Sequence, residues 1–376
     1  MSISRRYFLK QASAVALGFS GLHTFVGTGL PGLRTNPHLA DRFGPLRADP
    51  EGIFDLPEGF SYRIISRHGD AMDDGFLVPH RPDGMATFPG PNGRTILVRN
   101  HEVNVGAGAA ESAFGSDLRL AGRLTAEQVY DTKEDGTPCP GGTTTLVYDT
   151  KRQRVERQYL SLAGTERNCA GGPTPWNTWI TCEETVRRAG NDCHHDHGYA
   201  FEVPASATPR LADPVPLKAM GRFNHEAVAV DPASGIVYQT EDRHDGLLYR
   251  FIPDVPGELA RGGRLQALSV ADRPSLDTRN WDAATVPVGE PTAVRWIDLD
   301  DVEAPEDDLR LRGFEAGAAR FARGEGMWYG EGAVYFACTN GGRIQKGQVW
   351  RYTPSPEEGT SGEHGAPGTL ELFVEP

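Results

Sequence analysis

Apolar residues in this chain come in short runs, such as Trp179 to Cys182, Ala227 to Val230 and Ala333 to Cys338, each bounded by Gly, Pro, Asn or Asp. Runs of that length between turn residues predict strands, and few stretches repeat at helical spacing. Three stretches share one order: NCAGGPTPWNTWITCEET (168–185), NHEAVAVDPASGIVYQTED (224–242) and GEGMWYGEGAVYFACTN (324–340). Each has a ligand-type residue, an apolar run, a turn, a second apolar run and a second ligand-type residue. The turns fall at Pro175-Trp176-Asn177, Asp231 to Gly235 and Gly330 to Gly332. The paired ligand-type residues are Cys169 with Glu184, Glu226 with Glu241, and Glu325 with Asn340, each 15 positions apart. If every unit is an antiparallel hairpin, its two ends lie side by side at one edge of a sheet.

The second runs align at Trp179, Tyr238 and Tyr335, and each is followed by another aromatic strand: GYAFEV (198–203), GLLYRFIP (246–253) and GQVWRYTP (347–354). A fainter fourth copy runs from DGMATFPGPNGRTILVRNHE (83–102) to TTTLVYD (143–149), with an offset that departs from the others. Repeated sheet-sized units predict an all-β chain folded as a β-propeller, with inner strands directing the same ends towards a central channel. Gly 45 and Pro 28 in 376 residues suit many turns rather than helical layers. Donors at equivalent strand ends would converge at one end of the channel.

Ser4-Arg5-Arg6-Tyr7-Phe8-Leu9-Lys10 precedes an apolar run from Ala12 to Val26 that is too short to span a bilayer and fits a cleaved signal. The paired arginines mark twin-arginine export, giving a periplasmic or secreted protein with the export machinery as a partner and no stable membrane anchor. The expected organisation is a signal at 1–33, a Gly- and Pro-rich arm at 34–50 and one propeller domain at 51–376. The formal charge is −13, and the signal contributes only positive charge, so the exported part is more acidic still. Such a chain repels nucleic-acid phosphates and concentrates cations.

Five cysteines in an exported chain leave at least one unpaired or otherwise occupied. Cys169 is read as a thiolate metal ligand, with a disulfide to Cys182 as the alternative, and Cys182 also suits burial as a small apolar residue. The acid pairs Glu183-Glu184 and Glu241-Asp242 stand at equivalent strand ends, beside Asn168, Asn224-His225-Glu226 and Asn100-His101-Glu102. Carboxylate oxygens suit Ca²⁺, and a thiolate among them suits a transition metal such as iron. Cys193-His194-His195-Asp196-His197 resembles a metal site but lies in a connection outside the repeat, and is read as a surface loop. Arg323, two residues from Glu325 in an extended chain, would share its face, and a guanidinium beside metal ions matches phosphate oxygens. No Walker loop, Gly-x-Ser-x-Gly elbow, His-Glu-x-x-His helix or Rossmann fingerprint is present in the sequence.

The twin-arginine start, NCAGGPTPWNTWITCEET, GRFNHEAVAVDPASGIVYQTEDR, LYRFIP and ARGEGMWY together resemble the PhoX family of secreted alkaline phosphatases, over most of residues 50–355. The resemblance implies a six-bladed propeller with an iron and calcium cluster that hydrolyses phosphate monoesters. By motif, Cys169 corresponds to the iron-binding thiolate, Glu226, Glu325 and Glu184 to metal ligands, Glu102 to a further ligand and Arg323 to the phosphate-binding arginine. Glu241 joins the set by its place in the repeat. The expected mechanism is attack by a metal-held hydroxide or oxide while Arg323 holds the phosphate. The chain is compact beside larger members, so some calcium ligands and pocket loops are expected to be missing. Two alternatives use the same acidic repeat: a non-catalytic calcium-stabilised propeller that binds a ligand or partner, and a calcium-dependent lactonase or phosphotriesterase. Cys169 discriminates against the latter, which has no use for a thiolate.

Overall fold

A computed structural model describes residues 43–190 and 192–376, so the expected twin-arginine signal lies outside the described residues. These fall into two compact units that divide after Ile65. In the first, β1 (Leu46–Arg47) pairs antiparallel with β2 (Leu56–Pro57).

The second unit, Ser66–Pro376, consists of antiparallel sheets built by chain-order meanders. The first sheet is β3 (Pro82–Pro89), β4 (Arg94–His101), β5 (Gly141–Asp149) and β6 (Arg154–Thr165). The second is β7 (Asn168–Pro173), β8 (Thr178–Glu183) and β9 (Ala200–Pro204). The third is β10 (His225–Val230), β11 (Val237–Glu241), β12 (Gly246–Pro253) and β13 (Gly263–Val270), continued by β14 (Thr292–Asp298). After a short helix α1 (Leu309–Glu315) and β15 (Arg320–Phe321), which pairs with β12, the fourth comprises β16 (Gly324–Gly330), β17 (Ala333–Cys338), β18 (Gln348–Thr353) and β19 (Thr369–Val374). All three predicted hairpins and the fainter fourth are formed, with turns where the sequence placed them.

Alternation explains why the strands stack as blades. In β10, Val228 and Val230 face the second sheet, where they pack with Ile180, Cys182 and Ala200, while Ala229 between them faces the fourth sheet with Val334, Phe336 and Trp350. Likewise Tyr249 and Phe251 of β12 face one way and Leu248 the other. A strand buried on both faces needs a nearly continuous apolar run, which is what the short runs in the sequence are. Ile96 and Val98 of the first sheet meet Trp179, Phe201 and Val203 of the second in the same manner.

The fold is therefore a β-propeller. Among the described residues of this unit the strands form a four-stranded, a three-stranded and a ten-stranded antiparallel sheet, the last running through β14 from the third meander into the fourth. The segment between the third and fourth sheets does not open another blade. Its strand β14 bridges β13 and β19, and the rest is α1 and loops. Met85 on β3 and Trp328 on β16 remain exposed, so the first and fourth sheets do not close apolar face to apolar face.

Candidate active site

Each of the four inner strands carries a register shift at its start: between Pro82 and Met85, Asn168 and Gly171, His225 and Val228, and Gly324 and Met327. A bulge there inserts an extra residue and re-aims its side chain. The second residue of each strand is Asp83, Cys169, Glu226 or Glu325. At the other end of each hairpin stands Glu102, Glu184, Asp242 or Thr339, whose backbone N–H donates to the carbonyl of the residue preceding the inner strand. Those acceptors are Arg81, Arg167, Asn224 and Arg323, at 2.9, 3.0, 3.0 and 3.0 Å respectively. One backbone device, repeated four times, thus brings a polar side chain from each strand end to the same edge.

The best-defined donor group is Cys169, Glu184 and Glu226, whose sulfur and carboxylate oxygens all lie within 4.8 Å of one another. Cys169 is buried, and Asn100 fixes its bulge by donating from Nδ2 to the carbonyls of Cys169 at 3.1 Å and Ala170 at 2.7 Å. The Asn100 Oδ1 in turn accepts from the Trp179 indole and the Thr181 hydroxyl, both at 2.8 Å. Burial, then the charge on Glu226, pushes the Cys169 thiol up. Burial, then Glu325, pushes Glu226 up strongly. Glu184 rises to about 7 by burial, opposed by Arg167 and reinforced by Asp242 and Glu102. Glu325 is raised by burial and Asp242, with Arg323 opposing and Asp83 adding. Asp83 is solvent-exposed at the rim, yet crowding by protein raises it to about 6, with Glu102 adding.

Mutually repelling carboxylates around one thiol are held together against their charge, which is the condition a bound cation relieves. The donor set fits cations on that ground. Its oxygens suit a hard ion and its sulfur a transition metal.

Two arginines face these acids. Arg323 donates from Nε and Nη2 to the two oxygens of Asp242 at 2.8 and 2.5 Å, and from Nη2 to Glu325 at 3.1 Å. Arg167 donates from Nη2 to Glu102 at 3.1 Å and to Glu184 at 2.5 Å. Both have left-handed backbone, φ 48° at Arg167 and 55° at Arg323, as does Arg81 at 47°. The expected extended geometry at Arg323 is thereby corrected, since the chain turns before Glu325, although the guanidinium still reaches it.

Of the residues expected from sequence, Cys169, Glu184, Glu226, Glu325, Glu102 and Arg323 stand at this edge. Glu241 does not. Its Oε2 accepts from the Tyr249 hydroxyl at 2.7 Å and the Leu247 N–H at 3.2 Å, in the core behind β11, and burial raises it to about 7 against the opposing charge of Arg310. Its neighbour Asp242, past the end of the strand, faces the arginine instead. Asn340 likewise turns to His244 at 2.8 Å, while Thr339 donates to Glu325 at 3.3 Å. All five cysteines are free, so the alternative disulfide between Cys169 and Cys182 is not formed. Sequence reasoning missed Asp83 and Arg167, and of the acid pair Glu241-Asp242 it placed Glu241 rather than Asp242 in the ligand set. The signal was present in Arg81-Pro82-Asp83, Arg167-Asn168-Cys169 and Arg323-Gly324-Glu325, which share an arginine two residues before a donor.

The Cys193–His197 segment is also corrected. His194 and His195 are exposed, but Cys193 and His197 are buried and meet Asp131 and Cys139. Beside the acidic edge opens a cavity of about 620 Å³, lined by Arg167, Arg187, Arg188, Asn224 and Arg243, with each of these arginines paired to a carboxylate. No described helix is long and apolar enough to cross a membrane.

Residues 41–375 match the sequence profile of the family described as Alkaline phosphatase PhoX. Among solved structures, Pseudomonas fluorescens PhoX in complex with vanadate, a transition state analogue, aligns with a TM-score of 0.56 and 17% identity, covering 84% of this chain and 72% of that one. A putative oxidoreductase (glucose dehydrogenase) from Thermus thermophilus covers 83% of this chain and 86% of its own at 12% identity, but its TM-score is only 0.31. No curated protein matches the chain.

Proposed function

The chain belongs to the alkaline phosphatase PhoX family, and from that membership we propose that it is an exported, cation-dependent hydrolase of phosphate monoesters working at the edge where the four inner strands begin. The observation that carries this reading is the convergence of Asp83, Cys169, Glu184, Glu226 and Glu325 beside Arg167 and Arg323. Cys169, Glu184, Glu226 and Glu325 would hold the cations, iron at the thiolate and calcium at the carboxylates, with Glu102 and Asp83 at the rim. Bound cations supply electrophilic charge for transfer of a phosphoryl group.

The remaining work belongs to side chains. Asp242 grips Nε and Nη2 of Arg323, and Nη1 has no partner among the described residues. A guanidinium held on one side and open on the other is pre-set to bind a phosphate oxygen without losing side-chain freedom when it does so. Arg167 is held similarly by Glu102 and Glu184.

Replacing Cys169 by Ser tests this reading against that of a calcium-only propeller. Hydrolysis of an aryl phosphate at alkaline pH should collapse in Cys169→Ser. Undiminished turnover would remove the thiolate from the site.

A further inference from the structure

Outside the acidic edge, Asp131, Cys139, Cys193 and His197 form a second donor cluster, every member buried, with one ligand atom from each lying within 4.8 Å of the others. We propose that these four side chains form a structural zinc site that clamps the loop between β4 and β5 to the loop between β8 and β9. The two sulfurs are 3.4 Å apart and unbonded, and His197 Nε2 lies 3.2 Å from Asp131 Oδ2. Ligands on a tetrahedral zinc ion stand roughly 3.3–3.8 Å apart along the edges of the tetrahedron, from Zn–S and Zn–N bond lengths. Both distances match those edges to within a few tenths of an ångström.

The surroundings are built for a metal-binding imidazole. Glu183 Oε1 accepts from His197 Nδ1 at 2.7 Å, while its other oxygen accepts the N–H groups of Gly198 at 2.9 Å and Tyr199 at 3.3 Å. A carboxylate on Nδ1 fixes the tautomer that presents the Nε2 lone pair to the cluster, which is the usual outer partner of a metal-bound histidine. Asp131 is oriented in turn by the N–H groups of Thr132 at 2.7 Å, His194 at 3.2 Å and His195 at 2.8 Å. Tyr130 closes the cluster edge-on, its ring 5.2 Å from that of His197. Without metal, His197 lies between Glu183 and Asp131 and keeps a proton on each nitrogen, so binding would release the Nε2 proton together with the two thiol protons to solvent and leave the imidazole neutral. Two thiolates, an imidazole and one carboxylate form a closed four-ligand set, the mark of a structural rather than catalytic zinc. Glu183 also adjoins Glu184, so the clamp anchors the strand end that carries a proposed ligand of the active site.

The test uses the full chain, dialysed to remove loosely held ions, with zinc measured by elemental analysis and thiols by alkylation. One zinc per chain should remain in the wild type and in Glu226→Ala, and be lost in Cys139→Ser and Cys193→Ser. Should the serine variants fail to fold, cobalt exchange answers the same question in the Cys169→Ser background. There the visible and near-ultraviolet bands of a thiolate-bound tetrahedral cobalt ion are expected. Absence of zinc from the wild type with Cys139 and Cys193 recovered as a disulfide-linked pair would overturn the proposal. So would zinc content unchanged in both serine variants, or a cobalt protein without thiolate bands.

Discussion

At the scale of single residues, Arg323 and Glu226 are expected to fail in different ways. Arg323 touches two carboxylates that hold it, and in the proposed reaction it contacts the phosphate, so Arg323→Ala should lower turnover by about 10²–10³-fold, the usual cost of removing one preorganised donor. Its metal content should stay near normal. Glu226, buried between Cys169 and Glu325, should lose metal and activity together in Glu226→Ala. Equal metal loss in both variants would make Arg323 a member of the cation site instead. Protonation gives an independent check. Burial raises Glu184 from about 4.5 to about 7, so in cation-free protein the folded state disfavours its charged form. The associated stability is complete below pH 4.5 and is lost as pH rises through 7. Melting temperature of chelated protein should therefore fall across that window, and added cations should remove the fall. A chelated protein whose stability rises across the same window would contradict this electrostatic picture.

At the scale of elements, the bulged hairpin is the working unit, and its glycines are set by contact rather than by turn formation. A Cβ on Gly172 would lie 2.0 Å from the Val228 carbonyl oxygen on the neighbouring inner strand, whereas one on Gly326 would meet nothing within 4 Å. Gly172→Ala should destabilise by about 1–3 kcal/mol through overpacking. Gly326→Ala should melt close to the wild type, and similar melting of the two would deny that β7 and β10 are in such close contact. The hairpins themselves were legible because Pro175-Trp176-Asn177, Asp231 to Gly235 and Glu331-Gly332 declare their turns. Their exact ends were not. A fixed spacing selected Glu184 correctly but missed by one residue in the other two units, because each connection has its own length. In a strand, one residue changes the face, which is why Glu241 enters the core and Asp242 the site. Asp83 escaped for the same reason, hidden by the longer offset of the first hairpin, although Asp83-Gly84-Met85 repeats Glu325-Gly326-Met327.

For the molecule as a whole, the repeat predicted the radial arrangement, while the number of blades could not be counted from it. Nothing in the apolar runs distinguishes β14, which bridges two sheets, from a strand that begins a new one. Long-range pairs of polar residues were equally hidden. Asp131, Cys139 and His197 meet only because blades one and two stack, and no local pattern links them. What the whole fold supplies to chemistry is an assembled edge, where four strand starts bring their polar side chains together so that their acids could hold the proposed cations.

The most direct test of that claim is to measure aryl phosphate hydrolysis at alkaline pH in the purified protein before chelation, after it, and after iron and calcium are restored together. The account predicts activity that disappears with the chelator and returns with the two metals, and a Glu226→Ala protein that the metals do not rescue. Hydrolysis that survives complete removal of iron and calcium would contradict it.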